Sequence, residues 1–144
     1  MERCEWAGDD TLMQKYHDTE WGVPVHNDRK LFEFLLLEGF QAGLSWSTVL
    51  HKRAHYKKVM DNFDPKKVAQ YQAPKRNALL KDAGIIRNRL KVHGAVKNAQ
   101  AFLAIQKEFG SFNTYIWEFV GGKPIKNKWK SMSQILLSLC PCPL

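Results

Sequence analysis

Residues Leu31–Trp46, LFEFLLLEGFQAGLSW, decide the fold. Leu31, Phe34, Leu35 and Glu38 fall at i, i+3, i+4 and i+7, which is one face of a helix. Phe32, Leu36 and Leu37 make the other faces apolar as well, the pattern of a helix packed on most sides. A carboxylate at the end of such a stripe is costly to desolvate unless a polar or cationic group meets it. Gly39, Gln41, Gly43 and Trp46 follow within a few residues. Two readings of Glu38 stand side by side. Either it is a buried acid beside glycines and an indole, in a pocket for a flat polar ligand, or it ends its helix and points to water.

Downstream, Ser45 is placed to cap a second helix whose apolar positions run through Trp46, Val49, Leu50, Tyr56, Met60 and Phe63, with Arg53 among them. Asp64–Pro65 stops that helix and opens another, with proline at the tolerated first position. Pro74 opens a short helix carrying Leu79 and Leu80, and Gly84 suits the position just past its end. The longest periodic stretch spans Asn88 to Phe109, with Val92, Ala95, Val96, Ala99, Phe102 and Leu103 on its apolar face and Gly110 after it. Ser111 then caps a helix with Phe112, Tyr115, Ile116 and Phe119, closed by Gly121–Gly122 and Pro124. Upstream, Asp10 caps a short helix reaching about His17, and DTEWGVPVHND is turn material in which Asn27 or Asp28 caps the Glu38 helix. No stretch alternates with period two, so the fold class is all-α.

A chain of 144 residues, 44% apolar and 25% charged, is one globular domain with a real core. Its net charge of +8 favours a polyanionic partner, nucleic acid first and an anionic membrane surface second. No apolar run approaches the ~20 residues of a membrane span. MERCEWAGDD turns acidic early and lacks the apolar core of a signal peptide, which points to the cytoplasm. Three cysteines argue against a disulfide framework. The last residues, ILLSLCPCPL, are apolar and proline-broken, unlike the helices before them.

Three constellations carry chemistry. Cys4 and His17 are ordinary zinc donors, although a structural site takes four ligands; a free cysteine and a surface histidine are the plainer reading. Trp6, Tyr16, Trp21 and Trp46 gather in the first third of the chain around Glu38. Aromatic faces beside an acid suit a planar cation, while core packing explains any single tryptophan. Arg87, Arg89, Lys91 and Lys97, with Lys123, Lys126, Lys128 and Lys130 later, either track a phosphate backbone or form a solvated face.

The motifs MERCEW (1–6), YHDTEWGVP (16–24), LFE (31–33), LEGFQAGLSWSTVL (37–50) and DAGIIRNR (82–89) resemble the bacterial DNA-3-methyladenine glycosylase I family, and the likeness runs from Met1 to about Met132. The resemblance implies a helical bundle of the helix-hairpin-helix DNA glycosylase type. It implies a monofunctional repair enzyme that flips 3-methyladenine out of alkylated double-stranded DNA and hydrolyses its N-glycosidic bond. By the same resemblance Glu38 is the catalytic-site acid that hydrogen-bonds the alkylated base. Tyr16 and Trp46 stack on that base, and Trp6 and Trp21 line the pocket. Gly43 and Leu44 form the turn that approaches the vacated base stack. Cys4 and His17 are two of four ligands of a structural zinc, and the protein is a cytoplasmic monomer with no membrane partner. The chain departs from the family in two places. Met13 stands where a tyrosine is usual, removing an aromatic wall, and after Met132 the family continues through a DNA-gripping hairpin, closing helices and the remaining zinc ligands. The expected organisation is therefore an incomplete glycosylase domain over 1–132 and an aberrant, disordered tail over 133–144. The alternative function is a non-catalytic fragment that keeps at most alkylbase or DNA binding.

Overall fold

Capping side chains set the helix boundaries. The computed structural model describes residues 3–125; the tail expected over 133–144 and the boundary at 132 lie outside the described residues. Among the described residues there are seven α-helices and no strand, as the all-α reading expects: α1 (Thr11–Thr19), α2 (Asp28–Gln41), α3 (Trp46–Val59), α4 (Pro65–Val68), α5 (Ala73–Lys81), α6 (Arg89–Phe109) and α7 (Phe112–Glu118). The first turn of a helix leaves amides without intrahelical partners, and short polar side chains accept from them. Asp10 accepts from Leu12 and Met13, Asn27 from Lys30, Ser45 from Thr48, Asp64 from Lys66 and Lys67, Asn88 from Lys91, and Ser111 from Thr114.

The core forms where α6 crosses the others. Val92, Ala95, Val96, Ala99 and Phe102 of α6 are buried, and the helix packs against α2, α4, α5 and α7. Phe102 meets Phe32 edge-on at 5.0 Å and stacks on Phe112 at 4.2 Å, so one ring joins α2, α6 and α7. Phe40 meets Tyr56 at 4.5 Å, which joins α2 to α3. The Tyr56 hydroxyl, fully enclosed, accepts a hydrogen bond from the Ile86 amide at 3.0 Å.

Burial on α2 reverses the face read from the sequence. Phe32, Leu36, Leu37 and Phe40 are buried, whereas Leu35 and Glu38 are exposed. A helix apolar on most sides carries no mark of which side the core will take. Gly39 lies within α2, and only Gly43 of the pair adopts positive φ, at 77°.

Two further boundaries differ from expectation. The helix expected to run to Phe63 ends at Val59, and Asp61, Asn62 and Phe63 follow with φ of 51°, 55° and 52°. Left-handed backbone costs roughly 1–2 kcal/mol per non-glycine residue. Here it drives Phe63 into the core, and the Tyr71 hydroxyl secures it by donating to Asp61 Oδ2 at 2.6 Å. Gly84 does not close α5; Asp82 does. A Cβ on Gly84 would lie 2.3 Å from the His55 ring, so glycine is needed there for close approach. His55 in turn faces Asp82 at 2.8 Å.

Asp28 ties the two ends of the described chain together. Although it sits in the first turn of α2, its carboxylate accepts from the amides of Phe112 at 2.9 Å and Asn113 at 2.8 Å, at the start of α7. Gln106 of α6 donates to the same group. Asp28→Ala removes a cap that bridges three helices and is expected to cost roughly 1–2 kcal/mol. Urea unfolding should show a lower midpoint with an unchanged slope.

Candidate functional site

Three helices converge on one open cavity of about 240 Å³. Trp6 enters from the single helical turn Glu5–Ala7, Tyr16 from α1, Trp21 from the loop after it, Glu38 and Gln41 from the end of α2, and Trp46 from the start of α3. All five aromatic and acidic residues expected at the site are therefore gathered. The rings form a chain: Trp21 meets Trp6 edge-on at 5.4 Å, Trp6 lies 6.3 Å from Tyr16, and Tyr16 lies 5.1 Å from Trp46. Trp6 and Trp21 are partly open to solvent, and the Trp46 indole N–H is buried without an acceptor among the described residues.

Glu38 is not the buried acid that the stripe suggested; it stands exposed at the cavity. Among the described residues its carboxylate makes no hydrogen bond or ion pair, so its charge is available to a ligand. Burial pushes the Tyr16 hydroxyl above its ordinary pKa, and the carboxylates of Glu38 and Glu20 push it further against Arg53. The phenol therefore stays neutral, an O–H donor in a negative field.

The buried acid of α2 is Glu33, 8% exposed. It lies in register with Leu36, Leu37 and Phe40, a signal visible once the buried face is known. Arg53 of α3, its side chain only 15% exposed, donates to Glu33 through Nε at 2.7 Å. Its two terminal nitrogens each bond Glu20 at 2.8 Å, the bidentate geometry that a planar guanidinium suits. Lys30 adds contacts to Glu20 at 2.8 Å and Glu33 at 3.3 Å. Glu20 follows α1 directly, and its amide and that of Trp21 both bond the Tyr16 carbonyl. The clamp thus locks the element bearing Tyr16 to the helices bearing Glu38 and Trp46. Sequence reading missed this clamp because its members lie far apart along the chain.

Gln41 is a further wall residue that the sequence reading left without a role. Its Nε2 donates to the Leu44 carbonyl at 3.0 Å, which fixes the Gly43–Leu44 turn beside the cavity. Leu44 is 40% exposed at the tip. Met13 is buried, and it is not one of the residues that line the cavity.

Cys4 and His17 are also brought together. The Cys4 amide donates to His17 Nε2 at 3.3 Å, and His17 Nδ1 meets Asp18 at 3.0 Å. Hydrogen bonds from Arg3 and then His17 hold the Asp18 carboxyl down at about 2. No cluster of three or more metal-ligating side chains occurs among the described residues. A larger cleft of about 600 Å³ lies between Val23–Val25 and α7; among the described residues its wall is almost wholly apolar and carries no charged group.

A free carboxylate among electron-rich rings, in an all-helical domain, suits a flat, positively charged ligand. The methyladenine glycosylase family matches residues 6–139 of the chain. The DNA-3-methyladenine glycosylase of Haemophilus influenzae is 48% identical over 125 residues, covering 87% of this chain and 68% of the relative. A crystal structure of 3-methyladenine DNA glycosylase I superposes with a TM-score of 0.88 at 45% identity, over 93% of this chain and 74% of that one. A tyrosine-to-phenylalanine variant of 3-methyladenine DNA glycosylase I, solved in complex with 3-methyladenine, also gives 0.88, at 35% identity over 93% and 72%. The chain belongs to the methyladenine glycosylase family.

The clamp carries a pH prediction. Hydrogen bonds from Arg53, helped by Lys30 and opposed by burial, lower Glu20 from 4.5 to about 2 in the folded chain. A depressed carboxylate contributes stability that is present above its unfolded value and lost as pH falls through the folded one. Tryptophan fluorescence should therefore report loosening of the cavity between pH 4.5 and about 2. In Arg53→Met the Glu20 share of that acid transition should vanish, and the variant should be less stable at neutral pH.

Proposed function

We propose that this chain is a monofunctional DNA glycosylase of base-excision repair, hydrolysing the bond between deoxyribose and 3-methyladenine in alkylated duplex DNA. The observation that carries this reading is the unpaired Glu38 carboxylate standing among Tyr16, Trp46, Trp6 and Trp21 in an open, base-sized cavity. Methylation at N3 makes adenine a cation. Stacking and cation–π attraction favour such a ring over neutral adenine, and Glu38 accepts a hydrogen bond from its polar edge. Tyr16 and Trp46 form the stacking pair and Trp6 and Trp21 close the rim. A base inside a duplex cannot reach this cavity, so it is flipped out, and Gly43–Leu44 approaches the space it leaves.

The lesion supplies much of the driving force. As the bond from C1′ to N9 breaks, its electron pair neutralises the cationic base, which leaves as neutral 3-methyladenine. Water adds its oxygen to C1′ and releases a proton, leaving an abasic sugar. No strong general acid is needed, and among the described residues the cavity wall carries no lysine.

Zinc belongs to the same proposal. Cys4 and His17 are neighbours and both are ordinary zinc donors, with Asp18 on Nδ1 placed to orient the imidazole; a metal on Nε2 would replace the hydrogen bond that this nitrogen accepts from the Cys4 amide. When bound, zinc would fasten the N-terminal turn carrying Trp6 to α1. Cys140 and Cys142 lie outside the described residues. Metal analysis of the purified chain should find less zinc in Cys4→Ser and His17→Ala.

Release of free 3-methyladenine from methylated DNA by the purified chain tests the enzyme reading. Glu38→Gln removes a charge-assisted hydrogen bond of about 1.5–3 kcal/mol. Affinity for free 3-methyladenine, read by tryptophan quenching, should fall roughly ten- to a hundredfold, and base release should fall with it. Equal release by both proteins would refute the role of Glu38.

A further inference from the structure

Between Asp82 and Glu108 the chain carries Arg87, Arg89, Lys91, Lys97 and Lys107 and no carboxylate. The cavity differs: Glu38 on its wall is unpaired among the described residues, whereas Asp10, Asp18, Glu20 and Glu33 are paired with His51, Arg3, Arg53 and Lys30. The two sides meet at the Gly43–Leu44 turn. Lys91 Nζ makes the join, donating to the carbonyls of Phe40 at 2.7 Å and Ala42 at 2.6 Å. The first turn of α6 is thereby fixed against the residue that precedes Gly43. Lys91 is consumed in this contact, but Arg87 and Arg89 are exposed and form no ion pair among the described residues. Leu90 between them and Lys91 is 83% exposed. Leu44 and Leu90 are thus exposed apolar residues on neighbouring elements, with two arginines alongside.

From this arrangement we infer that Arg87 and Arg89 are a DNA-gripping pair that holds the duplex backbone next to the Gly43–Leu44 turn. The inference rests on the base-binding reading of the Glu38 cavity and adds where the phosphates run. A flipped base stays joined to its strand, so its flanking phosphates run past the cavity mouth and the Gly43–Leu44 turn. The acid-free start of α6, fixed beside that turn by Lys91, offers cations to them. Arginine suits phosphate through its planar fork of donors, and Lys91 keeps the grip in fixed register with the cavity.

The test compares the full chain with the Arg87→Ala/Arg89→Ala double variant. A Lys66→Ala/Lys67→Ala variant removes the same charge from α4, which packs near Gln100, about three turns along α6. Anisotropy of a labelled duplex of about 20 base pairs with a tetrahydrofuran abasic site is followed from about 50 to 200 mM KCl. The α6 pair should weaken binding and reduce the salt slope by about 2, near one unit for each phosphate that is no longer neutralised. The α4 pair should leave the slope close to that of the unmodified chain. Quenching by free 3-methyladenine should be unchanged in both variants. An unchanged slope in the α6 variant, an equal change in the α4 variant, or no duplex binding by the unmodified chain would overturn the inference. Loss of free-base quenching in the unmodified chain would instead strike the base-binding reading itself.

Discussion

A half-buried guanidinium shared by two carboxylates holds the site together. The walls of the cavity come from α1, α2, α3 and the segments flanking α1, and no one of these carries enough of it to bind a base. Arg53 reaches Glu20 behind α1 and Glu33 on α2 at once, so the relative placement of Tyr16, Glu38 and Trp46 follows from one ion-pair network. Desolvating such charges is costly unless each is matched. The match here includes bidentate geometry and a second cation, Lys30. The arrangement suits a binding site, because a ring-stacking cavity loses affinity with small displacements of its walls.

The same clamp explains why Glu38 is chemically distinct. Glu20 and Glu33 are neutralised by Arg53 and Lys30, whereas Glu38, further along α2, is left unpaired among the described residues. Its surroundings are aromatic faces rather than cations, so its field is directed at whatever enters the cavity. Tyr16 feels that field as a further rise above its ordinary pKa. Charge pairing and charge isolation on one helix therefore divide the work, Glu33 securing the frame and Glu38 facing the ligand.

Both ends of α2 are also fastened by other helices. At its start Asp28 caps α7 rather than its own helix, and at its end Lys91 of α6 engages the last carbonyls. Lysine at a helix C-terminus also opposes the partial negative charge there. The helix that carries Glu38 is thus braced at both termini. The turn beyond it, which carries Gly43 and Leu44, starts from a fixed point.

The helical class, the helix starts and the membership of the aromatic cavity were all legible in the order of residues. Caps such as Asn27, Ser45 and Asn88 act on amides two or three residues away, so their effect is local and can be read along the chain. The family motifs named Trp6, Tyr16, Trp21, Glu38 and Trp46 because unusual residues recur in a fixed order. Packing of the helices against one another was needed to establish which side of α2 is buried, that Glu33 rather than Glu38 is the enclosed acid, and that Gly84 makes room for His55. It also established that Lys91 serves α2 while Arg87 and Arg89 stay exposed. Each of these depends on a partner more than a dozen residues away, and periodicity within one helix holds no information about what the facing helix brings.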